Sequence, residues 1–341
     1  MKFYVASTTN NPKGGIYIAD LEISSGKISL LDNIADIEYP SFITIDSEGK
    51  YLYAVSIFEN KIYSYLIGHD ANSLLLIDSK SVNGLIPCYI SLTTNNDLLF
   101  VVNYTSANCL VIKLKDGIMN ISDTVSYKGS SKDKDRQESS HPHSIVPDNN
   151  SKFVYVADLG TDKIMIYSIN CRNKKINPIK DHYKKLKPGS GPRHFIFYNS
   201  NYAYVINELS STITGFIVDN QTGSISENKT ISTIPKNYSG INWAADIHIK
   251  GQFLYASNRG HNSIAVFRIE EKTGELMHIA YQNVYGDIPR NFAIDPTGAY
   301  VLIANEMSNN ITCFNRDNIS GKLKYTGFSL DVITPQCIKF I

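Results

Sequence analysis

The stretch Phe195-Ile196-Phe197-Tyr198-Asn199-Ser200-Asn201-Tyr202-Ala203-Tyr204-Val205-Ile206-Asn207-Glu208-Leu209-Ser210-Ser211-Thr212-Ile213-Thr214-Gly215-Phe216-Ile217-Val218 reads as three short strands separated by polar turns. Aromatic and β-branched residues fill 195–197, 202–206 and 213–218, and Asn and Ser supply the punctuation between them. A polar turn at 219–223 then leads to a fourth strand over 224–231. Four such strands predict one small antiparallel sheet.

The same unit recurs along the chain. Its third strand opens on a polar turn followed by alternating apolar residues, with anchors at 16, 62, 110, 164, 213, 264 and 311, separated by 46, 48, 54, 49, 51 and 47 residues. A period near fifty built of strands predicts propeller blades. The expected fold is therefore all-β: a seven-bladed β-propeller with four-stranded antiparallel blades, one unit over residues 1–341. The ends fit together. Pro335-Gln336-Cys337-Ile338-Lys339-Phe340-Ile341 resembles a first strand without its second, and Phe3-Tyr4-Val5-Ala6-Ser7 a second strand without its first. Pairing them closes the ring and removes an exposed edge.

Composition narrows the partners. Lys+Arg 33 against Asp+Glu 32 leaves a net charge of +1 over 341 residues, so no global field draws the chain to nucleic acid or an anionic membrane. The apolar run at the N-terminus is too short for a signal peptide, and no later stretch reaches the length of a membrane span, which predicts a cytoplasmic protein. The five cysteines, Cys88, Cys109, Cys171, Cys313 and Cys337, lie far apart without paired spacing and are expected as reduced thiols packed in strands. No glycine-rich loop precedes a helix and no His or Asp cluster has ligand spacing, so neither cofactor nor metal is expected. Monomer and dimer both remain open.

Aligning the repeats with one another separates scaffold from chemistry. A proline precedes each first strand, Pro40, Pro87, Pro142, Pro192, Pro289 and Pro335, with Trp243 aligned to that place in the fifth copy. A small polar residue ends each second strand, Ser7, Ser56, Asn103, Asp158, Asn207, Asn258 and Asn305, and reads as a backbone-binding scaffold position. The next column in each case varies chemically. After the proline stand Ser41, Cys88, His143, Arg193, Ala244, Arg290 and Gln336; after the polar residue stand Thr8, Ile57, Tyr104, Leu159, Glu208, Arg259 and Glu306. Antiparallel strands bring both columns to one end of the hairpin, hence to one mouth of the channel. There His143, Arg193, His194, Glu208, Arg259, His261, Arg290 and Glu306 are expected to gather, a set suited to binding a small anion and activating water. Ordinary Arg–Glu pairs tying blades together are the alternative. Residues 128–140, rich in Ser, Lys and Asp, carry no periodicity and are expected as a mobile surface loop; residues 171–191 are similar but must contain an outer strand. Recurring tyrosines, Tyr53, Tyr155, Tyr204 and Tyr255, read as inter-sheet packing, whereas Tyr104 in the variable column is a candidate pocket floor.

Two segments, Gly191-Pro192-Arg193-His194 with 204–209, and 253–264 containing Ser257-Asn258-Arg259-Gly260-His261, closely resemble the signature blades of the seven-bladed lactonase family. That family includes propeller-type 6-phosphogluconolactonases and carboxy-cis,cis-muconate lactonizing enzymes, and the similarity spans essentially the whole chain. The resemblance implies a catalytic set of His143, Arg193, Glu208 and Arg259; His194, His261, Arg290, Glu306 and Tyr104, placed near them by the repeat, are candidates for supporting or substrate contacts, with a structural role as the alternative for each. It also implies hydrolysis of a small anionic sugar lactone, foremost 6-phosphogluconolactone, with either His143 or Glu208 as the base that activates water. Carboxymuconate cyclization and a non-catalytic binding platform are the rival readings.

Overall fold

The computed structural model describes residues 1–8, 15–35, 37–170 and 172–341. Twenty-eight strands among the described residues form seven four-stranded antiparallel sheets. The fourth repeat folds as Pro192–Phe197, Tyr202–Asn207, Thr212–Val218 and Ile225–Ser232, paired in that order. In the seventh sheet Pro335–Phe340 pairs with Lys2–Ser7, which continues into Gly15–Leu21 and Ile28–Ala35, so the two ends of the chain close the ring. Residues 175–185 supply the outer strand expected within 171–191. No helix is long and apolar enough to cross a membrane among the described residues. Cys88, Cys109, Cys313 and Cys337 are buried free thiols, and Cys171 lies outside the described residues.

The seven first strands touch one another in turn around a closed circle and wall a central channel. Second and third strands are almost wholly buried between neighbouring blades, as in the BBBBBB run of Phe153–Asp158, while fourth strands are mostly exposed or half-buried at the rim. The apolar core therefore sits between sheets, and the polar side chains buried with it are held by hydrogen bonds, as Arg316 is to the Tyr255 hydroxyl at 2.7 Å.

A repeated clasp joins consecutive blades. The turn between strands three and four ends on a glycine with positive φ, such as Gly223 (77°), Gly274 (68°) and Gly321 (73°). Each lies flat against the aromatic ring that opens the second strand of the preceding blade, respectively Phe153, Tyr202 and Phe253, so that a Cβ there would fall under 3.0 Å from the ring. Two residues further on, Tyr155, Tyr204 and Tyr255 donate hydrogen bonds to the carbonyls of those same glycines at 2.7, 2.8 and 2.8 Å. The recurring tyrosines thus pack between sheets and also satisfy a buried carbonyl. The polar column is likewise structural. Asn103 donates to the Val82 carbonyl at 2.9 Å, Asn258 to Thr233 at 2.7 Å and Ser56 to Glu38 at 2.5 Å, pinning the loop that enters each blade.

Gly274 and Gly49 both have φ of 68°, but only Gly274 faces a ring, since nothing lies within 4 Å of a Cβ at Gly49. Gly274→Ala should therefore lower the unfolding free energy by about 1–3 kcal/mol more than Gly49→Ala, the usual cost of overpacking. Equal losses in denaturant titrations would show that backbone strain alone governs the clasp.

Candidate active site

Every first strand carries one extra residue just past its entry. In blade three Pro142 pairs with Asp158 and Ser144 with Ala157, leaving His143 without a cross-strand partner. Ser41, Cys88, Arg193, Arg290 and Gln336 are left out in the same way. A bulge of this kind re-aims its side chain, and here it does so for the variable column at one mouth of the channel. It also explains how Arg193 and His194, neighbours that a regular strand would send to opposite faces, touch each other at 3.1 Å between Nη1 and Nε2.

The fifth blade corrects the sequence alignment. Ala244, not Trp243, pairs with the polar residue Asn258, while Trp243 pairs with Arg259; Ala245 and Asp246 then bulge opposite Ser257. Ala244 thus occupies the proline position and Ala245 the variable one, one residue later than expected. Without an imide ring at this entry, nothing in the sequence fixes the register.

At the mouth, the buried Glu208 carboxylate holds three guanidiniums. Oε1 accepts a hydrogen bond from Arg136 Nη2 at 2.5 Å, and Oε2 lies 2.9 Å from Arg193 Nε and 2.7 Å from Arg259 Nη2. The last two are ion-pair contacts, not aligned hydrogen bonds. Arg193 Nη1 also donates to the Ala245 carbonyl at 2.6 Å, and Arg259 Nε to that of Trp243 at 3.4 Å. Arg290 and Glu306 stand together at 3.6 Å, both half-buried. Four guanidiniums thus face two carboxylates, a surplus of two positive charges.

Arg136 belongs to residues 128–140, which form a strand-free and mostly exposed surface segment as expected, but one anchored at Gln137 over the mouth. Gln137 is fully buried, donates from Nε2 to the Leu159 carbonyl at 2.8 Å, and exchanges backbone bonds with Ser131 and Asp133. Ser131 Oγ reaches Asp162 at 2.5 Å. The segment folds over the mouth because buried polar groups of blade three supply partners that no periodicity records. Arg136 is the one site residue that sequence reasoning missed at this level, hidden in an aperiodic run of charges.

His143 is buried, and its Nδ1 has no hydrogen-bond partner. Its ring lies edge-on to Tyr104 at 5.6 Å and to His194 at 5.4 Å. Tyr104 itself stacks on His141 at 4.3 Å and lies within electrostatic reach of Arg136, so it walls the mouth. Burial, reinforced by Arg193, His194 and Arg290, holds the His143 imidazole well below its ordinary range, and the ring is neutral at neutral pH. Burial alone would raise the Glu208 carboxyl, but Arg259, Arg193 and Arg136 together hold it at about 2. Cys88 also lines the mouth; burial pushes its thiol up to about 12, against the pull of Arg193 and Arg290, which leaves it unreactive. His261 does not join the group. It bonds Ser263 at 2.7 Å and packs against Tyr238 and Tyr281 in its own blade. His194 turns down the channel instead, donating from Nδ1 to Asp246 Oδ1 at 2.8 Å. Asp246 was hidden by the one-residue misalignment of the fifth blade.

Comparison with known proteins agrees with this fold. Residues 2–340 match the family described as "Lactonase, 7-bladed beta-propeller". The chain is similar to a 6-phosphogluconolactonase of Formosa agariphila, with 36% identity over 334 residues covering 94% of each chain. It is also similar to a 6-phosphogluconolactonase of Bacillus subtilis, with 28% identity covering 99% of this chain and 97% of that one. The periplasmic gluconolactonase structure of Pseudomonas aeruginosa superposes with a TM-score of 0.93 at 27% identity, over 100% of this chain and 98% of that one.

Glu208→Gln would leave three guanidiniums with no counter-charge, and breaking a buried pair in this way costs about 3–5 kcal/mol. The folded-state pKa is depressed, so the carboxylate's contribution is complete above the ordinary value of 4.5 and is lost as pH falls toward about 2. The stability gap between wild type and Glu208→Gln should therefore be full at pH 7 and shrink below about pH 4. A gap independent of pH in urea titrations would contradict the ion-pair account.

Proposed function

The chain belongs to the seven-bladed β-propeller lactonase family, and from that premise we propose that it hydrolyses a phosphorylated sugar lactone, 6-phosphogluconolactone, at the Arg-lined mouth. The observation that carries this reading is a neutral, unpartnered His143 beside guanidiniums whose one buried carboxylate is already committed to three of them. Glu208, held at about 2, is too weak a base to activate water and serves to orient Arg193 and Arg259. His143 Nδ1 takes the proton. Its basicity is low in the free protein because two arginines and burial oppose the imidazolium, and an anionic substrate beside it reverses part of that opposition.

The chemistry then balances with the residues in hand. Water, giving its proton to His143, adds to the lactone carbonyl; the oxyanion that forms meets the fixed charge of Arg193 and Arg259. Collapse breaks the bond to the ring oxygen, which takes the proton back from His143, and a hydroxy acid leaves. The surplus of two positive charges suits a dianionic phosphate. Among the three arginines on Glu208, Arg136 has the most exposed side chain, 35% against 3% for Arg193 and 9% for Arg259, which assigns the phosphate to Arg136 at the outer edge of the mouth and the reacting carbonyl to the deeper pair.

His143→Gln and Arg193→Ala should each cut hydrolysis of freshly generated 6-phosphogluconolactone at least a hundredfold, within the ~10²–10⁴-fold range of base and oxyanion-donor losses. Near-normal turnover in both variants would remove the site from consideration. Arg136→Gln should raise KM for the phosphorylated lactone about tenfold or more, the worth of one charge-assisted hydrogen bond, and leave KM for unphosphorylated gluconolactone unchanged. Parallel changes in the two KM values would deny Arg136 the phosphate.

A further inference from the structure

Below the mouth, side chains from five blades meet across the channel axis: Phe42 and Tyr89 pack on the His194 ring, and His194 and Asn291 converge on Asp246. The Asp246 carboxylate is buried and fully engaged. Oδ1 accepts from His194 Nδ1 at 2.8 Å and from the Ile247 amide at 3.0 Å; Oδ2 accepts from His248 Nε2 at 2.8 Å, Asn291 Nδ2 at 2.6 Å and the Phe292 amide at 3.3 Å. Asn291 cannot turn its amide round, because its Oδ1 accepts the Ile338 amide at 2.8 Å.

We propose that Asp246 and His194 are positioning residues that aim Arg193 at the reacting carbonyl. A carboxylate can only accept, so the proton of a neutral His194 must sit on Nδ1, and the Nε2 lone pair is left facing Arg193 Nη1 at 3.1 Å. Nη1 is then fixed between His194 and the Ala245 carbonyl, while Nε is fixed by Glu208. The other tautomer would set Nε2–H against the guanidinium and push it aside. Three blades thus define the orientation of one arginine: blade four supplies Arg193 and His194, blade five Asp246 and the Ala245 carbonyl, and blade six the Asn291 that holds Asp246. His194 is neutral at neutral pH, since burial and Arg193 push it down to about 4 against the pull of Asp246. A hydrogen bond to a charged group such as Arg193 typically carries on the order of 10–100-fold.

This assignment rests on the lactonase reading, and the experiment separates the two. Nitrogen-15 spectra of histidine-labelled protein should show His194 protonated on Nδ1. Asp246→Asn should mix or invert that tautomer, shift the Arg193 Nε–H resonance, and lower kcat for 6-phosphogluconolactone at least tenfold with KM within about twofold. His194→Met should lose kcat to the same extent, and His194→Gln, whose amide can both donate to Asp246 and accept from Arg193, should recover most of it. A wild-type His194 protonated on Nε2, an Asp246→Asn enzyme with unchanged kcat, or a Gln variant as impaired as the Met variant would each overturn the proposal. If Asp246→Asn loses stability, the Gln and Met pair decides. Should the wild type turn over no lactone, the functional reading fails, while the histidine and arginine resonances still decide whether Asp246 sets the geometry.

Discussion

One extra residue in each innermost strand governs the chemistry of this protein. A regular strand entering the ring would alternate its side chains between the channel and the inter-sheet core, so at most one of any two neighbours could line the mouth. The bulge after the entry position breaks that alternation in all seven blades. It frees one side chain from the ladder in six blades, and Ala245 with Asp246 in the fifth, while the residues on either side stay paired. The mouth can therefore change from Ser41 and Cys88 to His143, Arg193 and Arg290 without altering the backbone that carries them.

Stability and chemistry are divided between different radii of the ring. Outside the channel, glycine turns, aromatic rings and tyrosine hydroxyls lock each sheet to the next. The mouth, by contrast, contains like charges that would separate if the walls could move. Glu208 offsets the repulsion between Arg193 and Arg259, and burial makes that offset strong because water cannot screen it. A buried carboxylate spent on three guanidiniums is poor evidence of added stability. It is a means of keeping positive charge fixed where an anion will arrive.

The repeat was legible because strands, turns and the glycine clasp are local, and each copy restates them. Seven anchors near a fifty-residue period were enough to predict blade number, strand order and the closure of the ring by residues 3–7 and 335–341. Gathering His143, Arg193, Glu208 and Arg259 at one mouth followed from the same alignment. What escaped it depended on departures from the repeat. Arg136 arrives on an insertion whose fold is dictated by buried partners in blade three, such as Leu159 and Asp162, and insertions have no second copy to align with. Asp246 was displaced because the fifth blade lacks the proline that marks strand entry elsewhere, so Trp243 was matched to a position held by Ala244. His261, named with the mouth residues, is engaged within its own blade by Ser263, Tyr238 and Tyr281.

The charge of the channel is ordered by depth, and the order has a reason. Anionic Asp246 lies one layer beneath cationic Arg193, separated from it by a neutral imidazole. A direct carboxylate contact from below would compete with Glu208 and with any arriving oxyanion for the same guanidinium. Passing the contact through His194 removes the competition, because a neutral nitrogen lone pair orients an N–H without cancelling its charge. The carboxylate in turn is held by five donors from three blades, so its position is set by the ring and not by the ligand. Arg193 thereby meets a single carboxylate, Glu208, in direct contact, while Phe42 and Tyr89 pack edge-on against the same imidazole.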